Sequence, residues 1–342
     1  MSRSGTPART SFVITCHNLG AYLEEALASL FAQTDQDFDV IVVNDGSTDG
    51  ATCRLLADLA RPRTTVVHTE RRGLPGARNL GARHAAGTFL CMVDADDVLE
   101  PEYLERSAAV LTASGDLGFA SHWLRAFGDE QWEWTPTDCG FPALLHANTL
   151  NGAALMRRAM FEQLGGFDES MVDGCEDWEF WIRAVEHGYR GVIIPEFLFR
   201  YRRRADSMSR TMHAVPGMPA LYREIVMRHE WLFAAHLQPL LARRDGEIAA
   251  ASANLWRLGE AWAGDVEGRL QWLSDNCVAL EGGPDPRGSS TTALQDLEAA
   301  RAEARRLHAD FSREHELNLA LRSSWSWRLT GPLRQIARLL RP

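Results

Sequence analysis

Three carboxylates stand together in the stretch TFLCMVDADDVLEP, residues 88–101: Asp94, Asp96 and Asp97, with Glu100 close behind. Acids this close repel one another unless something positive sits between them. A divalent cation held by one or two of them, with water and ligand phosphate completing its shell, answers that need. The simpler alternative is a cap for the helix entered at Pro101, but a cap takes one acid. A second acidic loop, NDGSTDG (44–50), imitates the start of a calcium site through Asp45, Ser47, Asp49 and Gly50. The twelfth position should then be a bidentate glutamate; it is Leu56, so calcium is excluded and a turn with Asp49 capping the next helix is the plain reading. In a third stretch, GCEDWEFWIRAVEHGYR, Glu176, Asp177 and Glu179 crowd the first turn of a helix. The helix dipole favours acids there, and such a pair can also place a general base at a pocket rim.

The elements that must position these groups alternate. SFVITC (11–16), FDVIVV (38–43), TTVVH (64–68) and TFLCMV (88–93) read as strands, separated by helical patterns that include Leu23, Leu27, Leu30 and Phe31 on one face. Continuous apolar strands between helices imply a mostly parallel sheet covered on both sides, with ligands at the carboxyl ends of the strands, where both acidic loops fall. No GxGxxG follows the first strand, which ends in TCHNLG, so a dinucleotide fold is disfavoured. Residues 116–148 are looser and aromatic-rich. LNGAALM (150–156) and YRGVIIP (189–195) read as further strands, and 176–187 as a helix. Strand signals end beyond Arg210.

The expected organisation is a catalytic-type α/β domain over 1–215, a helical region over 216–281 and a linker over 282–290. An amphipathic or short coiled-coil helix follows over 291–322, then a basic tail over 323–342. Leu297, Ala300, Ala304, Leu307 and Phe311 carry the 3-4 spacing of that helix. The tail interleaves arginines with Trp325 and Trp327 and has no acid. It suits either an anionic membrane surface or a protein surface, self-association included.

The 342 residues are 45% hydrophobic and carry a net charge of −10, which fits two globular domains and argues against a nucleic-acid binder. Six scattered cysteines form no CxxC pair, so neither a disulfide framework nor a zinc site is expected. The N-terminal residues lack the apolar stretch of a signal peptide, and no window holds about 18 apolar residues in a row. The expected location is cytoplasmic, with peripheral attachment to the inner face of the membrane through the tail.

Six stretches together resemble the family-two glycosyltransferases with the GT-A fold: ITCHN, LASLFAQTDQDFDVIVVNDGSTDG, GLPGARNLGARHAAGTFLCMVDADD, GGFDE, CEDWEFWIRAVEHG and YRRRADSMSR. They run in family order over about 200 residues, three-fifths of the chain. The resemblance implies a fold class: α/β, a Rossmann-like, mostly parallel sheet with helices on both faces, followed by a helical C-terminal region. It also implies metal-dependent, inverting transfer from a nucleotide sugar, a UDP-sugar favoured, to a glycan or lipid-linked acceptor in surface polysaccharide synthesis. Mn²⁺ or Mg²⁺ would sit on Asp96 and Asp94. Thr15, His17, Asn18, Asp45, Arg78, Asp94, Arg202, Arg204 and Ser207 would bind the donor. Asp177 would be the catalytic base. Glu176, Trp178, His146 and Asn148 are the candidate acceptor residues, and the tryptophans of 123–141 serve either the acceptor or the core. Many relatives carry a histidine before the SMS stretch. Here arginines stand in its place, and His213 is a weak substitute. Two alternatives stay open: a non-catalytic scaffold of the same fold, and a retaining transferase.

Overall fold

The computed structural model describes residues 9–207, 217–247, 249 and 250. By its contacts the chain divides after Ala251, and the described residues belong to the first unit. The linker, the 291–322 helix, the basic tail, Cys277 and His213 lie outside the described residues.

Four parallel strands form one half of the sheet: β1 (Thr10–Cys16), β2 (Phe38–Asp45), β3 (Thr64–Thr69) and β4 (Phe89–Asp94). They lie in the order β3-β2-β1-β4. β1 and β2 are buried along their whole length, which explains their unbroken apolar sequence. Side chains alternate between two cores. Val13 faces one cluster, and Phe12, Ile14 and Cys16 face the other. The helices α1 (Gly20–Phe31), α2 (Gly50–Asp58) and α3 (Gly73–His84) make the crossovers. Asp49 caps α2 by accepting from Thr52 N at 2.8 Å.

The second half is mixed. A short β5 (Val98–Leu99) and α4 (Tyr103–Ala113) lead to β6 (Leu117–Gly128), a long strand in the segment expected to be loose. Then come β7 (Glu133–Trp134), α5 (Ala143–His146), β8 (Leu155–Arg157) and α6 (Arg158–Gln163). The strand expected over 150–156 is thus reduced to its end. Ala154 N turns back to Asn151 O, and Asn151 Nδ2 is spent on Ser121 Oγ and His122 O. α7 (Glu176–Glu186) follows, then β9 (Arg190–Arg203), which pairs parallel with β6 and antiparallel with β5.

Helices α8 (Gly217–Arg228) and α9 (Glu230–Ala235) belong to the same unit as the sheet, so the division expected at 215 falls inside it. They pack behind α7. His229 faces Glu186 Oε2 at 3.1 Å, and Trp231 Nε1 donates to Glu186 Oε1 at 2.9 Å. Among the described residues no helix is long and apolar enough to cross a membrane.

Candidate active site

Strand register brings the first acidic loops together. Thr15 of β1 is paired with Asp94 of β4, and Cys16 with Asn44 of β2. The parallel strands therefore end side by side, with Asp45 and Asp94 at their carboxyl tips. Thr15 Oγ1 donates to Asp94 Oδ1 at 3.4 Å. Asp45 accepts from the backbone of the turn entering α3: Arg72 N at 2.6 Å and Gly73 N at 3.1 Å. His17 Nδ1 lies 2.8 Å from the Asp45 carbonyl. Asn18 adopts φ 56°, a left-handed conformation Asn tolerates, and its Oδ1 accepts from Thr48 N and Asp49 N at 2.8 and 3.1 Å. Asn18 thus pins the NDGSTDG loop to the end of β1.

α3 supplies Arg78. Gly81 lets this helix approach the sheet, since a Cβ there would lie 2.2 Å from Val13 Cγ1. One turn earlier, Arg78 is 4% exposed at the strand ends. Its Nη2 donates to Asp94 Oδ1 at 2.8 Å and its Nη1 to Glu176 Oε1 at 2.5 Å. Burial alone would lower its proton affinity, but Asp94, Glu176 and Asp177 reverse that and hold the guanidinium charged.

α7 supplies the ED pair. It starts from Cys175 in the left-handed region, with no side-chain cap, and its three first-turn acids complement the dipole. Glu176 is buried on Arg78, and burial pushes its carboxyl up to about 7 against the pull of that arginine. Asp177 is half-buried. Its Oδ2 accepts from Asn148 Nδ2 at 3.3 Å and its Oδ1 from Trp178 N at 2.7 Å. Burial raises its pKa above the ordinary carboxylate value, while Arg78 and Asn148 oppose the rise.

The DADD loop is closed from the other side by the end of β9. Neither Asp96 nor Asp97 caps a helix; α4 begins at Tyr103 without a side-chain cap. Asp97 is buried, and its Oδ1 accepts from Arg202 N at 2.8 Å. Arg202 Nε donates to Asp96 O at 2.8 Å, and its Nη2 reaches Glu25 of α1. Asp96 faces Arg204, with Nε 2.9 Å from Oδ2. Burial, then Asp94, raise the Asp96 pKa, and Arg204 opposes them. Burial, then Asp96 and Asp94, push Asp97 well above its ordinary value. Ser207 Oγ accepts from Arg204 N at 3.0 Å and fixes the turn after the strand.

The expected residues therefore fall into groups. Thr15, Arg78, Asp94, Glu176, Asp177 and Asn148 form one chain of contacts. Asp96, Arg202, Arg204 and Ser207 form a second, and His17, Asn18 and Asp45 a third. Two expected acceptor residues stand elsewhere. Trp178 is 2% exposed, packs on Tyr222 and spends its indole N–H on Leu144 O, so it has no face for a ligand. His146 Nε2 is paired at 2.8 Å with Glu247. Of the aromatic segment, Trp123 packs on Phe197 and Trp134 against the core, while Trp132 is exposed. Sequence reasoning missed Tyr22 and Glu25. Tyr22 lies beneath Arg202 and Arg204, 5.0 and 5.2 Å from its ring centroid, on the solvent side of α1 where apolar periodicity gives no signal.

Asp94 and Asp96 offer hard oxygen donors of the kind Mg²⁺ and Mn²⁺ take. Among the described residues no three His, Cys, Asp or Glu side chains converge on one point. A cation here fits a two-carboxylate site that completes its shell with ligand oxygens and water.

The strand ends thus gather an acidic loop, a buried arginine and a helix-borne acid pair. Residues 11–165 match the family model described as glycosyl transferase family 2. The chain is 33% identical over 235 residues to the glycosyltransferase GlyA of Streptococcus pneumoniae, covering 60% of this chain and 33% of GlyA. It is 28% identical over 221 residues to the succinoglycan biosynthesis protein ExoO of Rhizobium meliloti, covering 59% and 63%. Its fold matches that of S. aureus TarS 1–349, solved in complex with UDP-GlcNAc, with a TM-score of 0.52 at 21% identity over 59% of this chain and 60% of TarS 1–349. The fold is GT-A. The chain spans 31% to 66% of the length of the first curated relatives it matches.

Proposed function

We propose that this protein is a metal-dependent, inverting glycosyltransferase that moves a sugar from a UDP-sugar to a hydroxyl of a glycan or lipid-linked acceptor in polysaccharide synthesis. The observation that carries this reading is the Arg78 bridge, which sets the donor loop at Asp94 beside the Glu176–Asp177 pair. The family match, the polysaccharide role in the name of ExoO and the UDP-GlcNAc bound by TarS support it.

In this mechanism Asp45 and the β1 end form the base-side pocket, and Asp94 and Asp96 would hold Mn²⁺ or Mg²⁺. The cation would supply Lewis-acid neutralisation of the departing diphosphate. Arg204 supplies further positive charge to the leaving group. Asp177 Oδ2 accepts the proton of the acceptor hydroxyl as its oxygen bonds to the anomeric carbon. The bond from that carbon to the diphosphate breaks, and the nucleotide leaves with the electron pair. Attack opposite the leaving group inverts the anomeric centre. Asn148 orients the base. Arg78 keeps both acid clusters in place without touching the reacting atoms.

The basic tail, residues 323–342, extends the reading to an anionic membrane surface. Liposome co-sedimentation with and without those residues tests that part, and equal sedimentation would refute it. The transfer reading is tested by UDP release from a panel of UDP-sugars with Mn²⁺ and a polysaccharide-precursor acceptor. Acceptor-dependent release with an inverted product anomer is expected. A retained anomer, or no release across the panel, would overturn it.

A further inference from the structure

Asp96 already has a positive partner in this structure. Arg204 Nε stands 2.9 Å from its Oδ2, and the N–H is off line for a hydrogen bond, so the contact is an ion pair. Among the described residues, the rest of the guanidinium meets Tyr22 and Asp206. It lies 5.2 Å from the Tyr22 ring centroid, and its Nη1 is 3.4 Å from the exposed Asp206 carboxylate. Arg202 contrasts with it. Its backbone and side chain are tied to Asp97, to the Asp96 carbonyl and to Glu25, which makes it a fixed strut.

We propose that Arg204 is the resident counter-cation of Asp96, exchanged for a divalent cation only when a nucleoside diphosphate arrives to receive the guanidinium. This rests on the metal-dependent reading above. Asp96 is 9% exposed and sits beside Asp94 and Asp97, so its charge is costly without a partner. A cation arriving alone must evict Arg204 and leave it, among the described residues, the exposed Asp206. A cation arriving with a diphosphate brings an anion whose geometry suits the guanidinium fork. Each ligand then strengthens the other, and thermodynamic reciprocity makes the two effects equal. Arg204 is the element that couples them.

The consequence runs against the usual effect of deleting a binding-site residue. Arg204→Met should bind Mn²⁺ alone more tightly than the wild type, by about threefold to tenfold, the scale of one partly buried ion pair. It should bind UDP more weakly, and UDP should no longer strengthen Mn²⁺ binding. Electron paramagnetic resonance of free Mn²⁺, titrated into the full chain with and without saturating UDP, reads both quantities directly. Circular dichroism checks the fold, and Arg204→Lys, with its shorter reach and point charge, gives an intermediate shift if the Met variant does not fold. Unchanged or weaker Mn²⁺ affinity in the variant, with UDP-assisted Mn²⁺ binding intact in the wild type, would overturn the exchange and leave the metal-dependent reading standing. No Mn²⁺ binding in either form, with or without UDP, would overturn both.

Discussion

Arg78 and Glu176 stand 98 positions apart in sequence and meet as a buried ion pair, each side chain 5% exposed or less. The same guanidinium holds Asp94 through its other arm. One side chain on α3 thus joins the loop proposed to bind the donor to the helix proposed to carry the base. Arg78→Met would leave Glu176 buried without its counter-charge. A stability loss of about 3–5 kcal/mol is expected, because breaking a buried pair from one side strands the other charge. Chemical denaturation measures it. Arg78→Lys cannot fork between two carboxylates and should recover only part. A wild-type midpoint in Arg78→Met would contradict the bridge.

Asp177 must be ionised to accept a proton, and its pKa is raised by burial. Activity should therefore fall, as pH drops, at a higher pH than an ordinary carboxylate would dictate. The Asn148 hydrogen bond stabilises the charged form. Asn148→Ala should move that acid limb of kcat/KM upward and lower turnover by about tenfold to a hundredfold, the value of one hydrogen bond to a charged group. A limb that stays in place or moves down would show that Asn148 does not act on the base.

The proposed mechanism gives Asp97 no step; its carboxylate ties the end of β9 to the DADD loop through Arg202 N. Asp97→Ala leaves that amide unpartnered and should cost about 1–3 kcal/mol of stability. It should also loosen the 202–207 segment, seen as faster amide exchange at Arg202. Unchanged exchange and melting would refute the structural role.

Asn18 fixes the NDGSTDG loop by accepting from two backbone amides and donating to Thr48 Oγ1. Asn18→Ala loses these bonds and puts a Cβ-bearing residue of lower left-handed tolerance at φ 56°. A loss of about 1–2 kcal/mol in stability is expected, with weaker UDP binding by titration calorimetry. Asn18→Gly should relieve only the backbone part, and equal stability of the Ala and Gly variants would contradict that division.

The parallel half of the sheet was legible in the sequence because strands buried on both faces need unbroken apolar runs. β6 was not, since it carries His122, Arg125 and Trp123 among its apolar residues. β9 was read only to Pro195, because its end and the residue after it, FRYRRR (199–204), look polar. In the structure those arginines close over the DADD loop. The acids of the site announced themselves by crowding against like charge. Which arginine meets which acid did not, because Arg78, Arg202 and Arg204 reach them across 16 to 108 residues of chain, and that pairing is a property of the folded register. Trp178 misled because an aromatic beside an acid pair suits a sugar ring, while helix periodicity turns this one into the core.

The central claim is that Asp177 is the base of an inverting transfer. Asp177→Asn keeps the size of the side chain and removes its capacity to take a proton. Turnover of a UDP-sugar with acceptor should fall by about 10²–10⁴-fold, with UDP and Mn²⁺ affinities unchanged. Turnover within a few-fold of wild type in that variant would contradict the account.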